Sequence, residues 1–202
     1  MKGLLLKDFY TIKSSIITIL ITFIAIGFGI SFFVTPQALI VISTIVLSLS
    51  VATAINIDKK SGWLKSSITF PTRKNSFISC KYVMYSLMSI IGIIFGITFS
   101  TIISFITNNT SFSLLPTFTY LSVAMTFFSG SILIPCFYLL DEEKSMIVAM
   151  ISYPIGTCFV YIMIKFIGNI ILSATVTVFI SLALFISSWY YLSKYIEKND
   201  IS

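Results

Sequence analysis

Histidine is absent from this sequence, and only 10% of its 202 residues are charged. Without histidine, the side chain that most often serves as a general acid or base near neutral pH is missing. A phosphate-binding loop would read GxxxxGK[ST], and the nearest stretch, residues 62–67, contains a single glycine. No pairing of a nucleophile with a base is visible either. The sequence therefore predicts that the chain is not an enzyme and has no cofactor or catalytic residue of its own.

Cysteine is also scarce. Cys80, Cys136 and Cys158 are odd in number and widely spaced. Disulfide frameworks and metal sites have shorter and more regular spacings. The sequence therefore predicts neither a disulfide framework nor a metal site.

Apolar side chains, in contrast, make up 57% of the chain, and the mean hydropathy is +1.03. A helix crosses a hydrocarbon core with about 20 apolar residues, and only helices or closed barrels satisfy their backbone groups in lipid. The apolar runs here are continuous rather than alternating, which favours helices. We therefore predict an all-α integral membrane protein, with residues 1–202 forming a single transmembrane domain of six helices. The predicted spans are 15–34, 38–57, 83–107, 117–140, 145–164 and 170–192.

The charged residues lie on one side of these predicted spans. Of thirteen basic residues, Lys165 alone falls on the opposite side, which leaves twelve, and all seven acidic residues accompany the twelve. Because basic residues are retained in the cytoplasm, both termini are predicted to be cytoplasmic. Sidedness therefore accounts for the net charge of +6. We expect no nucleic-acid partner, since no other feature supports one.

Residues 1–13 form a separate amphipathic segment before the first span. Apolar residues recur on one helical face at Leu5, Phe9, Ile12 and Ile16. This pattern favours a short helix lying at the inner membrane interface. The alternative is that the segment extends the first span into the cytosol.

Small side chains form ridges along three of the spans, and they let helices approach closely in lipid. Two interpretations stay open: ordinary packing within one subunit, or a functional role as a subunit interface or a sliding surface. Pro135 and Pro154 lie inside predicted spans, where proline frees backbone carbonyls and can kink a helix. The ridges consist of Ser89, Gly92, Gly96, Ser100 and Ser104 in span three, Ser145, Ala149, Ser152 and Gly156 in span five, and Ser173, Thr177 and Ser181 in span six.

The connector at 58–82 reads DKKSGWLKSSITFPTRKNSFISCKY. It is far longer than two neighbouring helices need, and it interleaves basic residues with aromatic and aliphatic ones. Pro71 disfavours helix in the residue before it, so two short helices would fit. This pattern predicts a cytoplasmic, amphipathic element that lies along the membrane surface and offers apolar side chains to a cytosolic partner.

Several short motifs carry a resemblance to a known family. An acidic residue, a tryptophan, TFP-x-R and then KY at the opening of a span resemble a short bacterial group of type-2 ATP-binding-cassette (ABC) permeases. The start MKGLLLKDFY and the pairing of Pro135 with Lys144 resemble the same group. Within it, the chain is similar to permease subunits of peptide exporters of the lantibiotic or phenol-soluble modulin type. The acidic triplet at 141–143 departs from the neutral or glycine-containing join expected there.

The resemblance implies that residues 59–71 form a coupling helix that docks into a separate ATPase subunit, which would hold ATP and magnesium. It also implies a second copy or a sibling permease, contacts with membrane lipids, a hydrophobic or peptide cargo, and a location in the bacterial plasma membrane. The implied ATPase-coupling residues are Trp63, Leu64, Lys65, Phe70, Pro71, Arg73 and Lys74.

Two other functions stay open at this point. A non-transporting immunity or scaffold protein would use 58–82 as a lipid-binding loop. An ion-coupled carrier is opposed by the lack of Asp, Glu, Arg and His within the predicted spans, because such carriers need ionisable groups in the membrane.

Overall fold

The computed structural model describes residues 2–30, 35–63, 74–107 and 112–198. Over these ranges the chain is helical and contains no strand, so the predicted all-α class is confirmed. A 3-10 turn at Phe112–Leu114 precedes the fourth helix. The helices are α1 (Lys2–Ile30), α2 (Ala38–Lys60), α3 (Lys74–Ile106), α4 (Leu115–Leu139), α5 (Glu142–Ile167) and α6 (Ile170–Lys198).

Among the described residues, five helices, α2 to α6, are long and apolar enough to cross a membrane. The α1 helix bends by 43° between Gly3–Lys13 and Ile16–Ala25, and it makes a sixth candidate span if both arms are counted together. The bend falls where the sequence predicts that an interfacial helix meets the first span. The multi-pass membrane class is confirmed. The count of six spans, the side of the termini and the interfacial position of residues 1–13 stay predictions.

The bundle is built around α2 and α4. The α2 helix packs most extensively on α3, and α4 packs on α6, α5 and α2. Phe185 of α6 lies in the largest apolar core, with its ring centroid 5.0 Å from that of Tyr82 and 5.1 Å from that of Phe127. Aromatic pairs at this distance add to the burial energy, so this core fixes α6 against α3 and α4.

The glycines of span three allow α3 to lie directly against α2. A Cβ atom on Gly92 would sit 2.8 Å from the Cα of Thr44, and one on Gly96 would sit 2.8 Å from the Cα of Ile40. Ser43 Oγ donates a hydrogen bond of 2.9 Å to the carbonyl of Gly92 across the same contact. This ridge therefore packs within the chain.

The ridge of span five is used in the same way. Gly156 lies against α4, where a Cβ atom would be 3.0 Å from Ser129 Oγ. That hydroxyl donates to the carbonyl of Ser152 at 3.2 Å.

Pro135 and Pro154 lie inside α4 and α5, which continue through them. Most of the other ridge residues are buried and Ala149 is half-buried; the buried ones are Ser89, Ser100, Ser104, Ser145, Ser152, Ser173, Thr177 and Ser181.

The connector between α2 and α3 is shorter than the sequence pattern suggests. Helix α2 continues to Lys60, and α3 already begins at Lys74, so residues 61–73 separate the two helices rather than residues 58–82. Gly62 ends α2 with a φ of 67°, and its N–H donates to the carbonyl of Lys59 at 3.1 Å. Glycine adopts this left-handed conformation without steric cost, which explains why the helix stops there.

Candidate functional site

The predicted docking residues are only partly within the described ranges. Trp63 is described with its side chain, which is half-buried, and Lys74 is the first residue of α3. The remaining predicted docking residues lie outside the described residues; they are Leu64, Lys65, Phe70, Pro71 and Arg73.

Trp63 is held at the end of α2 by a neighbour from α1. The Nζ atom of Lys7 lies 4.6 Å from the centroid of the Trp63 ring. A cation at this distance from an indole ring is attracted by its negatively charged face. The start of the 61–73 connector is therefore attached to the N-terminal helix.

Beside this contact lies a set of four charged residues, Lys7, Asp8, Asp58 and Lys81, which we call the charge cluster. The Nζ atom of Lys81 is 2.7 Å from Asp8 Oδ1 and 2.6 Å from Asp58 Oδ2. Lys7 pairs with Asp58 as well, and its Nζ is 3.7 Å from Asp8 Oδ1. Two carboxylates and two ammonium groups balance one another, so the cluster carries no net formal charge.

The cluster is unusual because three of its members are buried. The side chains of Asp8, Asp58 and Lys81 are only 4%, 5% and 6% exposed, whereas that of Lys7 is 30% exposed. The Sγ atom of Cys80 lies 3.7 Å from Asp8 Oδ2. Removing ions from water is costly, and pairing repays that cost only when the geometry is good. The short contacts of Lys81 with both carboxylates supply that geometry.

The end of α2 is also bonded to the turn between α4 and α5. The Nζ atom of Lys59 donates to the carbonyl of Leu140 at 2.8 Å. The last carbonyls of a helix lack partners within it, so this bond satisfies one at the end of α4.

Asp141 follows as the N-cap residue of α5, but its side chain makes no capping hydrogen bond. Its Oδ2 atom lies 3.7 Å from the Nζ atom of Lys144. Negative charge at a helix N-terminus is favourable, and Asp141 occupies that position without a capping hydrogen bond.

The charge cluster is the part of this site that the sequence pattern did not predict. The sequence pattern places Asp58 and Lys81 in the amphipathic connector at 58–82, yet Asp58 lies in α2 and Lys81 in α3. Asp8 lies between Leu5 and Ile12 on the apolar face of α1, and this polar residue within an apolar stripe was the available signal. Phe9, predicted on that face, is instead 42% exposed.

The described helices form apolar grooves on the surface of the bundle. The first, of about 380 Å³, is lined by α2, α4 and α5 and includes Asn56, Phe137 and Tyr153. Asn56 is 8% exposed, and its Oδ1 atom has no hydrogen-bond partner among the described residues. The second, of about 320 Å³, is lined by α3 and α6 and includes Tyr82 and Trp189.

The model of the ABC-2 family transporter protein family matches residues 3–198. The chain belongs to this family. Comparison with curated proteins and with solved structures gives no match.

Membership of the ABC-2 family identifies the role of the chain within a larger transporter. The chain is a membrane permease subunit of an ABC transporter, and its family works with ABC ATPase subunits. The resemblance to type-2 ABC permeases is thus confirmed. The peptide-exporter subtype and the bacterial origin stay predictions.

Proposed function

We propose that this ABC-2 permease subunit exports a hydrophobic or amphipathic substrate, such as a peptide, from a bacterial cell. The energy comes from ATP that separate ATPase subunits hydrolyse, with ATP and magnesium bound in those subunits. The observation that carries the proposal is the family match over residues 3–198. The attachment of the 61–73 connector to α1 through Trp63 and Lys7 supports it.

The ATPase docks on the connector between α2 and α3. Trp63 lies near the start of the connector, and the sequence continues with Leu64 and Phe70 as further apolar residues. Buried aromatic residues dominate the binding energy of many interfaces. The basic residues Lys65 and Arg73 meet acidic groups of the ATPase or anionic lipid headgroups.

The cargo moves along the groove that α2, α4 and α5 form. Its lining is mostly apolar, which suits a hydrophobic or amphipathic molecule. The unpartnered Oδ1 atom of Asn56 offers one hydrogen-bond acceptor to such a cargo. A second copy of the chain, or a sibling permease, closes the open side of the groove.

The docking proposal is tested by affinity purification from membranes. The tagged chain is expressed with an ABC ATPase from the same gene neighbourhood, and the bound ATPase is quantified. Trp63→Ala with Arg73→Ala should reduce the bound ATPase by about tenfold, because an interface anchor and a charge are lost together. The matched control is Trp189→Ala, since Trp189 lies in the groove of α3 and α6. Undiminished binding by the first variant contradicts the docking assignment. If the unaltered chain binds no ATPase, a non-transporting scaffold or immunity role is favoured.

A further inference from the structure

The charge cluster lies at both ends of the connector that separates α2 from α3. Asp58 is in the last turn of α2, and Lys81 is in the third turn of α3. The 2.6 Å contact between them ties the two helices together beside the connector. The 2.7 Å contact of Lys81 with Asp8 adds α1 to the same point. The ammonium group of Lys81 in α3 therefore contacts both α1, at Asp8, and α2, at Asp58.

Packing alone does not require this arrangement. Buried ion pairs are often no more stabilising than apolar side chains of similar volume. The surrounding side chains include Leu4, Phe77 and Tyr138, among which apolar residues would fit. The ion pairs instead fix the relative positions of the helices, because a short charge-assisted hydrogen bond holds both of its partners in one geometry.

Lys7 connects this point to the connector itself. It pairs with Asp58, and its Nζ lies 4.6 Å from the Trp63 ring centroid. Its side chain is also the most exposed of the cluster, at 30%. A chain of contacts therefore leads from Trp63 through Lys7 to Asp58, and through Lys81 to α1 and α3.

We propose that the charge cluster transmits movement of the docked connector into α1, α2 and α3, with Lys7 and Lys81 as positioning residues. This inference rests on the proposed docking of an ATPase at residues 61–73. It goes beyond docking because Asp8 and Lys81 lie outside the connector. The N-terminal helix is thereby a moving part of the permease rather than a passive membrane anchor.

The decisive variant removes the three buried charges together and leaves Lys7, whose side chain is 30% exposed, beside the Trp63 ring. Asp8→Leu, Asp58→Leu and Lys81→Met are combined and compared with the unaltered chain and with Lys81→Arg, which keeps the charge. All three are purified in complex with the ATPase and placed in lipid nanodiscs. Thermal unfolding, the amount of bound ATPase and ATP turnover are measured on each.

The triple variant should unfold near the temperature of the unaltered chain and retain the ATPase, since its core is apolar and the connector is unchanged. Its permease-dependent ATP turnover should fall by about tenfold or more, within the range of typical coupling between sites. Lys81→Arg should retain turnover within about threefold, because guanidinium also bridges carboxylates.

A stable triple variant with normal turnover would overturn the inference and leave the cluster a purely structural role. Loss of bound ATPase in the triple variant would also overturn it, because the cluster would then act in docking. If the triple variant fails to fold, Asp8→Asn alone decides between the same outcomes. The proposed function fails separately, when the unaltered chain neither binds the ATPase nor changes its turnover.

Discussion

Replacing Lys81 with methionine should destabilise the chain by an amount that the contacts of the charge cluster determine. Asp58 keeps its pairing with Lys7, so it retains a cationic partner. Asp8 loses its 2.7 Å contact and is left with Lys7 at 3.7 Å, while its side chain stays 4% exposed. The variant thus removes both ion pairs of Lys81 and strands one buried carboxylate, that of Asp8; breaking a buried pair in this way costs about 3–5 kcal/mol.

The loss is measured by thermal unfolding in detergent, followed by tryptophan fluorescence. For a chain of this size, each kcal/mol corresponds to about 2–4 °C, so Tm should fall by about 6–20 °C. Lys194 is exposed on α6, and the control Lys194→Met should change stability by less than about 0.5 kcal/mol.

A second substitution tests the reason for the loss. Adding Asp8→Asn to Lys81→Met removes the stranded carboxylate, so the double variant should be more stable than Lys81→Met alone. Residues that share an ion pair are coupled by about 0.5–3 kcal/mol in such a cycle. If the two losses simply add, or if Lys81→Met unfolds at the temperature of the unaltered chain, the burial argument is refuted.

Three further predictions concern helix packing and side-chain burial. Gly92→Ala should cost about 1–3 kcal/mol, because its Cβ atom would lie 2.8 Å from the α2 backbone. The control Gly29→Ala should cost nothing in the same unfolding assay, because a Cβ atom there would have no neighbouring atom within 4 Å. Equal losses of stability in the two variants would contradict the close contact. Gly168 has a φ of 72° at the end of α5, so Gly168→Ala should cost about 1–2 kcal/mol, and no loss of Tm would show that the helix ends otherwise. In detergent, N-ethylmaleimide should modify the exposed Cys158 while the buried Cys80 resists until unfolding, as followed by mass spectrometry; equal rates would contradict the burial of Cys80.

The helices could be predicted from the sequence because apolar runs of this length have few structural options in lipid. The helix ends were harder. The sequence pattern places Asp58 and Lys81 in the connector, because the predicted spans cover only uncharged apolar stretches. Gly62 is a local signal for the end of α2, because glycine often follows the last turn of a helix. A boundary placed just before this glycine agrees with the observed end of α2 at Lys60.

The charge cluster could not be predicted in the same way. The pairing of Lys81 with Asp8 joins residues 73 positions apart, and that of Lys7 with Asp58 joins residues 51 apart. Such pairs depend on how α1, α2 and α3 pack, which no local pattern specifies. For the same reason, the ridge at Gly92 was visible in the sequence, but its partner, the backbone of α2, was not.

The central claim is that this ABC-2 permease subunit is driven by a separate ATPase, and ATP turnover tests it most directly. The chain and the ABC ATPase are reconstituted together in liposomes, and turnover is compared with that of the ATPase alone. The account predicts that the permease changes the turnover severalfold and that Trp63→Ala with Arg73→Ala abolishes the change. Turnover that is identical with and without the permease would contradict the account.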